Sequence, residues 1–262
     1  MRPVLAELGP VTLYSYGIFI ALGFLVGGFI VRHLAKKDGL ETGHFVDYFL
    51  YAAVAGLLGA RLWHVLFRPF EVDSFWQVFS LWGGGLALHG GLLLAAIVLL
   101  LVMRRQGQPA WRWLDVTAIG ALAGLAIGKV GSFLNGDGFG RTSDLPWAVK
   151  FNDPLAPATI MGVELHPLQL YYALAFGLFA IGLYLIWRRQ RQGTGRLPRY
   201  PGFVFLVGLF ALSLTQFAFE ALHAPIDSLY LAGSIKITSW VALLLAAIAA
   251  FLLVKRARQA NT

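Results

Sequence analysis

The sequence predicts an all-α polytopic membrane protein with seven transmembrane helices, its N-terminus outside and its C-terminus cytoplasmic. Three observations carry this expectation. Of 262 residues, 58% are hydrophobic and only 13% are charged, whereas a soluble domain is about half apolar and about a quarter charged. The 21 basic and 13 acidic residues are too few to form a polar shell around a globule of this length, and the mean hydropathy is +0.69. Apolar runs of roughly 20 residues, the length that spans a bilayer, recur along the chain, and clusters of basic residues follow alternate runs. A soluble enzyme is therefore excluded. So is a disordered chain, which combines low hydrophobicity with high net charge. With no cysteine, disulfides, thiolate metal sites and a cysteine nucleophile are excluded as well.

The elements follow in order. Helix 1 is expected over Val11–Val31 and helix 2 over His44–Phe67, with Asp47 near its start, where a carboxylate complements the positive end of the helix. Helix 3 is expected over Gly84–Met103. Helix 4 covers Leu114–Leu134, with Asp115 in the same position as Asp47. Helix 5 covers Leu168–Trp187 and opens behind His166-Pro167, a normal place for proline. Helices 6 and 7 cover Gly202–Leu222 and Ile237–Val254. Gly23 and Gly27 in helix 1, and Gly120, Gly124 and Gly128 in helix 4, recur every four residues and so lie on one face, where they allow close helix packing. These helices use most of the chain, so 1–262 reads as a single membrane domain. Its longest connection is an outer loop or head insertion over 135–166, whose aromatic and proline residues favour an ordered interfacial element. The N-terminus lacks the basic n-region of a cleaved signal peptide.

Charge sets the orientation. Arg32, Lys36 and Lys37 follow helix 1, and Arg104, Arg105 and Arg112 follow helix 3. Arg188, Arg189, Arg191, Arg196 and Arg199 follow helix 5, and Lys255, Arg256 and Arg258 follow helix 7. The opposite side holds only Arg2, Arg68, Arg141, Lys150 and Lys236. Basic loops stay in the cytoplasm. The net charge of +8 is thus a mark of topology and not of nucleic-acid binding.

Ionisable groups within spans are costly and mark function. Arg61 and His64 share a helix face, where they can snorkel or bridge to an acid such as Glu220. His89 sits in Gly83-Gly84-Gly85-Leu86-Ala87-Leu88-His89-Gly90-Gly91. Glycines so dense around one histidine point to unusual backbone dihedrals or close approach of a ligand rather than to core packing, and histidine can move a proton near neutral pH. The stretch Gly128–Arg141 holds Lys129, Ser132, Asn135, Asp137 and Arg141 between glycines, among them Gly140. Backbone amides, an asparagine and two cations suit a phosphate, but the spacing is not that of a nucleotide-binding loop. Glu220 and His223, three apart, stand at the end of helix 6. Lys129, His89, Arg141 and His223 are expected to converge on a basic, glycine-lined site at the outer membrane boundary. Membrane phospholipid is its natural ligand. No metal-ligand motif is present.

These motifs together resemble the prolipoprotein diacylglyceryl transferase family. The resemblance rests on Tyr14-Ser15-Tyr16-Gly17, Gly59-Ala60-Arg61-Leu62, Trp82 through Gly91, Gly128–Arg141, Pro146-Trp147, His166-Pro167-x-Gln169-Leu170-Tyr171 and Glu220. It implies a seven-helix enzyme of the bacterial inner membrane with its active site on the outer side. The implied reaction moves diacylglyceryl from phosphatidylglycerol to the lipobox cysteine of a prolipoprotein signal peptide and releases glycerol-1-phosphate. It implies no cofactor and no metal. His89, Lys129, Arg141 and His223 are the candidate catalytic residues. Tyr16, Arg61, Ser132, Asn135, Asp137, Gly140 and Glu220 are the candidate substrate-binding residues. The family pattern has Arg at Lys129, Asn at Ser132, Glu at Asp137, Glu at Tyr172, and an Arg-x-Pro motif where this chain has His223-Ala224-Pro225. These differences leave room for a relative that binds phospholipid without catalysis or serves another acceptor. A seven-helix transporter or receptor fits less well, because the polar groups gather at one interface and Lys236 lies at the edge of the last span.

Overall fold

The computed structural model of the protein describes residues 2–9, 11–67, 74, 76, 87–156, 161–193, 197–224, 230–231 and 235–260. Among them lie seven helices: α1 (Ser15–Lys37), α2 (Phe45–Phe67), α3 (Leu88–Arg105), α4 (Ala110–Asn135), α5 (Leu168–Gln192), α6 (Phe203–Glu220) and α7 (Ile237–Ala260). Three antiparallel hairpins accompany them: β1 (Val4–Leu8) with β2 (Val11–Tyr14), β3 (Val149–Lys150) with β4 (Glu164–Leu165), and β5 (Tyr230–Leu231) with β6 (Ile235–Lys236). Contacts gather into two compact units, Met1–Leu34 with Leu114–Thr262, and Ala35–Trp113.

Among the described residues, α1, α2, α4, α5, α6 and α7 are each long and apolar enough to cross a membrane. Their outward faces carry large apolar side chains that no protein covers, such as Phe29 (72% exposed) and Leu174 (65%). Such faces are stable against hydrocarbon and not against water. The chain is a multi-pass membrane protein.

Helix ends differ from the hydropathy reading, and α4 starts at Ala110, four residues before the expected Leu114. Val11–Tyr14 is strand and not the start of helix 1. β-Branched Val11 and Thr12 favour a strand, and this one pairs with the N-terminal residues, Glu7 opposite Thr12. The buried Ser15 hydroxyl then donates to the Arg2 carbonyl, and the Arg2 amide donates to Leu134 O at 3.2 Å, which ties the hairpin to the end of α4. At the other ends α1, α5 and α7 continue through their basic residues to Lys37, Gln192 and Ala260. Hydropathy stops at the first charge. The helix does not, because lysine and arginine suit its negative C-terminal end.

In the first unit α1 and α4 meet through glycine. A Cβ on Gly23 would lie 2.4 Å from Gly124 O, and one on Gly27 would lie 2.7 Å from Gly120 O, so the four-residue spacing is a packing face as its pattern implies. Asp115 departs from its expected role. It lies beyond the first turn of α4, is buried, and accepts from the Gly202 amide (2.7 Å) and the Phe205 amide (2.8 Å). It therefore caps α6 and not its own helix, satisfying two of the four free amides at that helix start. Asp47 does sit in the first turn of α2.

In the second unit α2 and α3 pack the same way. A Cβ on Gly59 would approach Gly90 O at 2.4 Å, and one on Gly91 would approach Gly56 O at 2.8 Å. This corrects the reading of the glycines around His89. Gly90 and Gly91 are helix-packing residues, since the adjacent backbone of α2 occupies the space a side chain would fill. Gly83–Gly85 and the His89 side chain lie outside the described residues. Arg61 is buried on α2. Arg112 closes the unit by donating from Nε to Asp38 Oδ2 at 2.9 Å.

Gly124→Ala places a methyl group against backbone that cannot rotate away. Overpacking of this kind costs about 1–3 kcal/mol. The variant is expected to melt several degrees below wild type in detergent, while Gly177→Ala, at a site open on all sides, melts like wild type.

Candidate active site

The candidate site grows from the point where α4 ends. Gly136 follows the helix with φ +84°, a left-handed conformation that favours glycine. Its amide donates to Ser132 O at 2.9 Å. The chain then turns over a small apolar cluster of Phe139, Phe151, Ala156, Leu165 and Ala224, against which Phe133 and Val149 pack.

Next, three segments distant in sequence are joined by backbone alone. Gly140 N donates to His166 O (3.0 Å), His166 N to Arg141 O (3.0 Å), and Arg141 N to Leu222 O (2.8 Å). Gly140 pairs with His223 and Thr142 with Leu165 as antiparallel bridges. A Cβ at Gly140 would stand 2.6 Å from the His166 Cβ and 2.8 Å from Leu222 O, so glycine is required there. These bonds bring the end of α4, the start of α5 and the end of α6 to one place.

Two polar groups flank this junction. In the first, Asn135 Nδ2 donates to Asp137 Oδ2 at 2.9 Å, and Ser132 also hydrogen-bonds that carboxylate. The fully buried Gln169 holds the loop by donating to Asp137 O at 2.6 Å. Burial pushes the Asp137 carboxyl above the usual carboxylate range, against the pull of these hydrogen bonds and of Lys129. Tyr16, in the first turn of α1, lies within electrostatic reach of Asp137.

In the second group the Lys129 ammonium sits over the Tyr172 ring, 4.7 Å from its centroid. The His223 ring lies 6.1 Å from the same ring. Tyr172 Oη donates to Gln216 Oε1 (3.2 Å), and Gln216 Nε2 donates to Glu220 Oε2 (3.0 Å). Lys236 Nζ meets Glu220 Oε1 at 3.1 Å, with both side chains nearly buried. Glu220 thus pairs with Lys236. Burial lowers the His223 pKa to about 4 despite the neighbouring Glu220 carboxylate, with Lys236 and Lys129 pushing the same way. At neutral pH the ring is uncharged.

Of the sequence candidates, Lys129, Ser132, Asn135, Asp137, Gly140, Glu220, His223 and Tyr16 all belong to the first unit and to these two groups or the junction between them. Arg141 belongs to the junction by its backbone, and its side chain is exposed. Arg61 and His89 belong to the second unit. The sequence reading missed Gln169, Gln216 and Lys236 as site members. Gln216 and Glu220 are four apart on one helix, a spacing that puts them in contact. Nothing local links Lys236 to Glu220.

Comparison with known proteins gives the family. A family model described as prolipoprotein diacylglyceryl transferase matches residues 3–255. The chain belongs to the prolipoprotein diacylglyceryl transferase family. Proteins named phosphatidylglycerol–prolipoprotein diacylglyceryl transferase resemble it in several bacteria. That of Agrobacterium fabrum is 34% identical over 209 residues, covering 73% of this chain and 72% of its own. That of Rhizobium leguminosarum bv. trifolii is 32% identical over 252 residues, covering 91% and 84%. That of Synechococcus elongatus is 32% identical over 243 residues, covering 92% and 82%. The family is one of transferase enzymes.

The low His223 pKa has a thermodynamic consequence. As pH falls below 6.5 the unfolded chain binds a proton that the folded site refuses until about pH 4. Stability is therefore full above that window and is lost as pH falls through it. Melting curves at about pH 7 and about pH 4.5 are expected to show a smaller acid-induced drop for His223→Gln than for wild type.

Proposed function

We propose that this chain transfers the diacylglyceryl group of phosphatidylglycerol to the lipobox cysteine thiol of a prolipoprotein. The acceptor sulfur forms a thioether bond to the glyceryl carbon, the bond from that carbon to the phosphate oxygen breaks, and glycerol-1-phosphate leaves. The thiol proton passes to a base. The observation that carries this reading is a lysine ammonium held among uncharged rings at the junction of α4, α5 and α6. A cation there suits the phosphate of a lipid, and charge in a dry site is stronger than in water. Lys129 and Arg141 hold the phosphate. Neutral His223 contributes hydrogen bonding in place of charge. Asp137 with Asn135, Ser132 and Tyr16 orders the site. His89 serves as base or orienter of the thiol. No cofactor enters the reaction.

The positive-inside pattern supports a bacterial cytoplasmic membrane location with the N-terminus and the site on the outer side. A second reading is favoured by one observation. A neutral His223 leaves the site one fixed cation poorer than an arginine would, which suits a relative that binds phospholipid or serves another acceptor.

The test is complementation of a transferase-depleted strain, with prolipoprotein modification read as a mass shift. Wild-type chain is expected to restore modification. Lys129→Ala is expected to lose roughly 10–100-fold in turnover, the loss of a charged hydrogen bond, and His89→Ala is expected to fall as well. Well-expressed protein that modifies nothing would sink the reading. A large gain in Lys129→Arg/His223→Arg would show a weakened transferase.

A further inference from the structure

Lys236 immediately precedes α7, and Glu220 ends α6. Their 3.1 Å contact is 12% and 10% exposed, so water does little to screen it. The other Glu220 oxygen is bound by Gln216, which is bound in turn by Tyr172, whose ring carries Lys129. One continuous chain of contacts therefore runs from Lys236 through Glu220, Gln216 and Tyr172 to Lys129. His223 feels Glu220, Lys236 and Lys129 together. Glu220 is the carboxylate in this chain of contacts and Lys236 is the lysine that meets it, while the carboxylate that acts on Lys129 in the wild-type arrangement is Asp137.

We propose that Lys236 is a positioning residue: it holds and neutralises Glu220, which leaves the Lys129 charge free for the phosphate of the lipid donor. The proposal rests on the transfer reading above. Low dielectric makes the assignment matter. A carboxylate without its partner in such a place is a strong competitor for the nearest cation. Removing Lys236 would turn Glu220 toward Lys129 and set it against the donor phosphate for the same ammonium. Removing both members of the pair would take Glu220 out of the competition and leave Lys129 with Asp137 as in wild type. A clamp between α6 and α7, or a direct phosphate ligand, would not behave in this way.

The experiment compares wild type, Lys236→Gln, Lys236→Arg and Glu220→Gln/Lys236→Gln, each purified in detergent, with phosphatidylglycerol and a lipobox peptide as substrates. Lys236→Gln is expected to raise KM for phosphatidylglycerol at least tenfold with a smaller change in kcat. Lys236→Arg should stay within about threefold of wild type. The double variant should recover about tenfold over Lys236→Gln. Melting temperature is measured in parallel, and Lys236→Gln should be the least stable of the four. A double variant no better than Lys236→Gln overturns the proposal, as does a Lys236→Gln protein that transfers and melts like wild type. Inactive wild-type protein refutes the transfer reading instead, and the melting order then decides whether Lys236 is the Glu220 counter-ion.

Discussion

Ionisable groups inside this chain have almost no water to hold them, and its architecture at the site follows from that constraint. A charge in a low-dielectric setting needs a partner, a hydrogen-bond shell or a neutral form. Each solution occurs here. Glu220 takes a lysine and an amide. Asp137 takes Asn135 and Ser132. Asp115 takes two backbone amides. His223 gives up its proton. Lys129 meets the face of an aromatic ring, whose quadrupole attracts a cation without neutralising its formal charge.

The scaffold under these groups is built from absence of side chains. Glycine pairs let α1 approach α4, and another set lets α2 approach α3, with backbone oxygens where Cβ atoms would stand. Close approach allows dispersion contacts and backbone proximity to do the work that burial does in water, since lipid provides no hydrophobic drive between helices. At the site itself Gly140 performs the same service for three separate segments. The backbone ladder it permits places Leu222 and His223 beside Gly140 and Arg141 whatever their side chains are. This framework is made of main-chain bonds and does not depend on which side chains stand at Lys129, Tyr172 and His223.

The sequence by itself determined the helical membrane class, the number of helices and the family, because those depend on segment hydropathy and on short local motifs. Glycine spacing on α1 and α4 was legible for the same reason: a four-residue period fixes one face of a helix. Other features needed tertiary structure. Val11–Tyr14 became strand because a hairpin partner was available, which hydropathy does not record. Asp115 capped α6, and the glycines after His89 packed against α2, because the nearest amide or helix in space was not the nearest in sequence. The Lys236–Glu220 pair joins residues separated by a helix connection, and only folding brings them to 3.1 Å. Local pattern decides what a segment becomes. Which charge neutralises which is decided by distance in three dimensions, because ion pairing in a dry interior falls off with space and takes no account of sequence order.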